Sequence, residues 1–204
     1  MPFSRRLLLS LPIAGLLASG AARAQSANPP VATIERFYDA LLGVMREARR
    51  LSFDQRYGRL QPVIERVFDL ALMTRIAIGP EWTQLRPDQQ QRLTEAFARY
   101  TISVYAGRFD DYAGERFEVA PEPSSNASGL IVESWLIKPG GERIRLNYLL
   151  RQQAGDWQVM DVYLSGTVSE LATRRAEFVA VLRREGADGL VRSLDQRTAA
   201  LRMG

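Results

Sequence analysis

The stretch from Asp156 to Phe178 constrains the fold more than any other part of the sequence. Residues 157–164 alternate in the manner of a β-strand, and apolar side chains fall on both faces, so both faces need cover. Beyond the strand the apolar period lengthens to about 3.6 residues, which predicts a helix. Thr167 and Glu170 have the spacing of a capping box at the start of that helix. A final strand is therefore predicted to turn directly into a helix that packs back over the sheet.

The rest of the chain divides into helical segments followed by strands. Pro62 is expected to begin the second helix, after a short turn capped by Ser52. The predicted helices cover residues 31–50, 62–78, 87–107, 167–185 and 188–201. The predicted strands cover residues 116–120, 130–137, 142–152 and 157–164. Their short connections allow only antiparallel pairing, so we expect an α+β fold in which helices cover a four-stranded antiparallel meander.

The amino terminus has the composition of an export signal. A pair of arginines precedes an apolar run over residues 7–17, and small residues up to Ala24 suit cleavage. The run is shorter than the roughly 20 apolar residues that a membrane-spanning helix needs. We expect residues 1–24 to be a signal peptide, used by either the general or the twin-arginine route, and residues 25–204 to form a single exported domain.

Composition excludes several classes of function. The chain contains neither cysteine nor histidine, which removes thiol chemistry, the usual zinc sites and catalytic systems built on histidine. Its net charge of +4 includes three arginines and no acid within residues 1–24, so the mature chain is almost neutral. Such a chain is a poor partner for nucleic acid. We expect no metal and no other cofactor.

Several segments resemble the toluene-tolerance/MlaC family. They are the export signal and the patterns of apolar and aromatic residues at 68–82, 85–109 and 157–178. Trp157, Asp161 and the glycine after the strand match the family motif. Within the family, the pattern is most similar to the hopanoid-associated branch.

The resemblance implies a fold and a function. The fold would be a curved sheet related to cystatin-like or nuclear-transport-factor-like cones, with a cavity for lipid tails. The function would be that of a soluble periplasmic carrier and not an enzyme. Its cargo would be a phospholipid or a hopanoid, and its partners an inner-membrane ABC transporter complex and an outer-membrane lipoprotein complex.

Apolar and aromatic side chains on the predicted strands and helices are the candidates for contact with lipid tails. A hydrocarbon chain gains about 0.8 kcal/mol for each methylene buried, so tails could bind without a charged anchor. The candidate residues are Phe68, Leu72, Ile76, Phe97, Tyr100, Tyr105, Val132, Tyr148, Leu150, Val162 and Phe178.

Two other functions stay open at this point. The first is an isomerase or dehydratase in which Asp161 is the base and Tyr148 or Tyr163 polarises a carbonyl. The second is a periplasmic adaptor that docks on membrane proteins and binds no lipid. Asp161 is unusual among apolar neighbours, and we expect it to accept hydrogen bonds from backbone or arginine donors rather than to act in catalysis.

Overall fold

The computed structural model describes residues 28–203. The predicted signal peptide, residues 1–24, lies outside that range. The helices are α1 (Pro29–Glu47), α2 (Phe53–Val67), α3 (Leu70–Ile78), α4 (Pro87–Arg108) and α5 (Glu170–Met203). Short 3₁₀ turns follow α1 at Ala48–Arg50 and α3 at Gly79–Gln84. Within this range, no helix combines the length and the apolar character needed to cross a membrane.

An antiparallel sheet of six strands follows α4 in the described chain. The strands are β1 (Arg116–Val119), β2 (Ser124–Asn126), β3 (Gly129–Ile137), β4 (Arg143–Gln153), β5 (Asp156–Leu164) and β6 (Val168–Ser169). Their order is β1-β3-β4-β5-β6, and β2 pairs with the half of β3 that β1 does not reach. The α+β class, the antiparallel pairing and the four expected strands are therefore confirmed, but the sheet is larger than the predicted four-stranded meander.

The two additional strands form where side chains and backbone permit tight turns. The carbonyl oxygen of the Asn126 side chain accepts hydrogen bonds from the amides of Ser128 and Gly129, which closes a turn between β2 and β3. Between β5 and β6, Ser165 and Gly166 both have positive φ, 54° and 84°. No strand was predicted between residues 120 and 130, because the proline, serine and asparagine content of this segment does not distinguish a short hairpin from an irregular connection.

The helix predicted to begin at Pro62 begins at Phe53 instead. Ser52 forms a full capping box with Gln55, so it starts a helix rather than a short turn, and Pro62 lies inside α2. The helical pattern then breaks after Val67, because the amide of Asp69 donates to the carbonyl of Val159 on β5. This long-range backbone pairing separates α2 from α3 and is invisible in the local sequence.

The capping box predicted at Thr167 and Glu170 is also wrong. Ser169 caps α5, since its hydroxyl oxygen accepts a hydrogen bond of 2.9 Å from the amide of Ala172. Residues 168–169 pair with β5 and are therefore extended, which shifts the start of the helix. The predicted break at Gly186 is confirmed, because its φ of 70° kinks α5 there.

One face of the sheet meets the helices through an aromatic cluster. Phe37 on α1 is fully buried and stands edge-on to Phe68, Tyr105 and Tyr148, with ring centroids 5.3, 5.4 and 6.2 Å away. Such edge-to-face contacts add about 0.5–1.5 kcal/mol each to the burial of the rings. The cluster fixes α1, α4 and the sheet around one point of the core.

The opposite face carries charged side chains at its β1 end. Arg143 and Arg145 lie over the ring of Trp135, and they form ion pairs with Glu118 and Glu133 respectively. These pairs are exposed, so they add little to stability. They keep this part of the face polar, whereas the helices cover the apolar face on the other side of the sheet.

Candidate functional site

A cavity of about 130 Å³ opens to solvent between the sheet and helices α3, α4 and α5. Strands β4 and β5 supply its floor, and the helices supply its walls. Apolar and aromatic side chains make up most of the lining: Phe68, Met73, Phe97, Tyr100, Val104, Tyr105, Phe109, Leu146, Tyr148, Val162, Leu164 and Leu171. The period of the sheet explains the floor, because Leu146 and Tyr148 on β4 stand opposite Leu164 and Val162 on β5.

Below the floor, the phenol of Tyr148 belongs to a buried hydrogen-bond network. Its hydroxyl lies 3.1 Å from that of Tyr38, which lies 2.7 Å from the hydroxyl of Ser134. Ser134 in turn donates to the carbonyl of Leu146. Burial raises the pKa of Tyr38 and that of Tyr148 well above their ordinary value. These groups are uncharged and satisfied by one another, so the floor presents an apolar surface.

The mouth of the cavity carries the charged side chains. Arg174 on α5 donates to the hydroxyl of Tyr100 at 2.8 Å and to Glu170 at 3.2 Å, and its guanidinium lies over the Tyr100 ring. Arg108, at the end of α4, also lines the cavity and is exposed. The site thus has an apolar interior and a polar, net positive rim.

Asp161 does not line this cavity. It precedes Val162 on β5 and its side chain points to the other face of the sheet, where it is 7% exposed. Its carboxylate accepts hydrogen bonds from the amides of Val162 and Leu171 and from the hydroxyl of Ser169. The backbone donors that the sequence predicted are present. The remaining donor is the hydroxyl of Ser169, and no arginine among the described residues donates to this carboxylate. Burial raises the pKa of Asp161 above its ordinary value, although these three hydrogen bonds act in the opposite direction and lower it.

The structure brings together six of the eleven candidate residues for lipid contact. Phe68, Phe97, Tyr100, Tyr105, Tyr148 and Val162 line the cavity. Val132, Leu150 and Phe178 are buried in the core beside it, while Leu72 and Ile76 are half-buried on α3. Contact of any of the eleven with a lipid stays a prediction.

Sequence reasoning missed several residues of the lining. Val104 continues the stripe of Phe97 and Tyr100 along α4, and Leu146 and Leu164 continue the alternation of the two strands, so extending either period would have found them. Arg108 and Arg174 carried no such signal. Helix arginines usually lie on solvated faces, and only tertiary packing places these two at a cavity.

The described residues contain no group of three acidic side chains that could hold a metal ion. The fold and the site together define an α+β protein with an open, mainly apolar cavity between an antiparallel sheet and its helices.

The chain belongs to the MlaC protein family, whose model matches residues 35–196. It is also similar to a solved structure, that of the phospholipid-binding protein from Ralstonia solanacearum in complex with a phospholipid. The two chains are 26% identical and superpose with a TM-score of 0.73. The match covers 85% of this chain and 99% of the other. The resemblance to the MlaC family is thus confirmed, whereas membership of its hopanoid-associated branch stays a prediction.

Proposed function

We propose that the protein is a periplasmic lipid carrier that holds the tails of a phospholipid in the cavity between β4, β5 and helices α3 to α5. The observation that carries this proposal is the lining, in which twelve of the sixteen described residues are apolar or aromatic. Each methylene that moves from water into such a lining contributes about 0.8 kcal/mol. Membership of the MlaC family and the phospholipid bound to the similar Ralstonia protein support the same ligand.

The size of the cavity adds a condition to the proposal. At about 130 Å³ it falls below the roughly 300–1,000 Å³ of typical small-molecule pockets. A whole acyl chain therefore needs more room, and we infer that the helical wall separates from the sheet when lipid enters.

The wider role follows the family assignment. The carrier would move lipid between an inner-membrane ABC transporter complex and an outer-membrane lipoprotein complex, after export directed by residues 1–24. A hopanoid stays the alternative cargo, because an apolar lining accepts a fused ring system as well as acyl chains. The likeness of the sheet to cystatin-like or nuclear-transport-factor-like cones stays a prediction.

The position of Asp161 favours a carrier over an isomerase or dehydratase. A catalytic base must reach the substrate, and Asp161 faces away from the cavity with its carboxylate engaged by three donors. Tyr163 does not line the cavity either. Of the groups named for that mechanism, Tyr148 alone lines the cavity.

Native mass spectrometry of the protein isolated gently from a bacterial periplasm tests the proposal. We expect a species heavier than the mature chain by the mass of one phospholipid, identified after extraction. A hopanoid mass would change the cargo and keep the carrier. A protein that stays free of lipid after isolation, and that takes up none from vesicles while binding a membrane complex, would instead support the adaptor.

A further inference from the structure

The charges of the side chains at the cavity mouth do not sum to zero. Arg108 and Arg174 both line the cavity, and within the described lining Glu170 is the acidic residue. Glu170 is engaged, since its carboxylate accepts a hydrogen bond from Arg174 at 3.2 Å and both side chains are largely shielded from water. The positive charge of Arg174 is thereby compensated, and that of Arg108 is not.

Arg108 differs from most arginines of this protein in having no carboxylate partner within residues 28–203. The two acidic residues nearest to Arg108 in sequence do not form an ion pair with it. Asp111 pairs with Arg49 at 2.9 Å, and Asp110 forms no ion pair with Arg108. A free guanidinium therefore stands where the apolar lining meets water.

This juxtaposition selects the chemistry of a ligand. An apolar interior suits hydrocarbon, and an unpaired guanidinium at its edge suits an oxyanion, because the planar fork of arginine donates two parallel hydrogen bonds to phosphate. We propose that Arg108 binds the phosphate of a glycerophospholipid whose tail lies in the cavity, an inference that rests on the carrier function above. The site then selects phosphate-bearing lipids over neutral lipids with the same tails.

A purely structural role for Arg108 gives a different expectation. An arginine in the last turn of a helix interacts favourably with the helix dipole whatever the ligand. Its loss would then affect all lipids alike, through the stability of α4. A comparison between two lipids that differ only in the head group separates the two roles.

The test uses the delipidated mature chain and displacement of a neutral fluorescent fatty alcohol. Phosphatidylglycerol and diacylglycerol with identical acyl chains are the competitors. We expect Arg108→Gln to weaken binding of phosphatidylglycerol about tenfold, the size of one lost charge-assisted hydrogen bond, and to leave diacylglycerol unchanged. Arg151→Gln is the matched control, since Arg151 is exposed on β4, has no partner among the described residues and does not line the cavity. It should change neither affinity.

Three results would overturn the inference. Equal weakening of both lipids would assign Arg108 a structural role, and an unchanged affinity for both would remove it from the head-group site. Equal affinity of the wild type for phosphatidylglycerol and diacylglycerol, together with binding of inorganic phosphate that Arg108→Gln abolishes, would show that the guanidinium binds a free anion and not a lipid head. A wild-type chain that binds neither lipid would refute the carrier function itself, which is a separate outcome.

Discussion

The carboxylate of Asp161 accepts a hydrogen bond from the hydroxyl of Ser169, eight residues later in the chain. Ser169 also caps α5 through the amide of Ala172, and the same carboxylate accepts the amide of Leu171. One buried acid thus ties the last long strand to the first turn of the helix that forms a wall of the cavity.

Substitution of Asp161 should affect the stability of the fold more than it affects any binding or catalytic activity. Asp161→Ala leaves the donors of Ser169 and Leu171 without a buried acceptor, so we expect the free energy of unfolding to fall by about 1–3 kcal/mol. Asp161→Asn keeps an acceptor oxygen and should cost less, with lipid binding unchanged. Urea denaturation and lipid displacement measure both quantities. An Asn variant that stays fully stable but loses turnover of an unsaturated ketone would restore the enzyme interpretation.

The same residue predicts a dependence on pH. Burial raises the pKa of Asp161 above its value of 3.8 in the unfolded chain. An acid whose pKa is raised by folding stabilises the folded state fully below pH 3.8. This contribution is lost as the pH rises through the higher pKa of the folded state. The stability of the wild type relative to Asp161→Asn should therefore be greatest in acid and decline toward neutrality. Denaturation series for both proteins across that range check the trend, and the opposite slope would contradict it.

The phenols beneath the cavity should resist ionisation. Burial holds the pKa of Tyr38 and that of Tyr148 well above 10.0, so the stability they provide is present at neutral pH and lost only as strongly alkaline pH passes their folded values. In an ultraviolet absorbance titration, two or more of the seven tyrosines should ionise only when the protein unfolds. Tyr148→Phe should cost about 1 kcal/mol, because the hydroxyl of Tyr38 loses a partner. Tyr112→Phe is the control, since its hydroxyl has no hydrogen bond among the described residues.

Val104 offers a direct test of the cavity wall. It lines the cavity from α4 but is only half-buried, so a charge there disturbs the folded state less than one at the fully buried Phe97 would. We expect Val104→Asp to weaken lipid retention about tenfold, because the carboxylate must either lose water or exclude the tail. Val191→Asp on α5 is the matched control, as Val191 is equally half-buried and lies outside the cavity. Equal retention in the two variants would place the tail elsewhere.

Gly129 at the start of β3 is predicted to be intolerant of a side chain. A Cβ atom there would lie 2.4 Å from the carbonyl oxygen of Leu150, and backbone cannot move as a side chain can. Gly129→Ala should lower the free energy of unfolding by about 1–3 kcal/mol. Gly43→Ala, in the exposed middle of α1 with open space around it, should raise that energy by about 0.5–1 kcal/mol. Thermal denaturation of both variants gives the comparison.

Much of the secondary structure could be read from local patterns, and two of the errors share a cause. The helix from Pro87 and the alternation along β4 and β5 appeared where periodicity and turn residues agreed. The missed break between α2 and α3 and the misplaced cap at Thr167 both lie at or next to residues that pair with β5, namely Phe68 to Asp69 and Val168 to Ser169. Strand pairing across a long stretch of chain overrides the local helix signal.

The sequence by itself determined the α+β class, the antiparallel pairing and which faces are apolar, because short connections and hydrophobic period follow from local chemistry. Tertiary structure alone decided where the apolar surface is left unfilled, that Asp161 turns away from that space, and that Arg108 stands unpaired at its edge. A cavity forms where packed elements leave space between them. The spacing of residues along one element does not indicate how far that element lies from its neighbours.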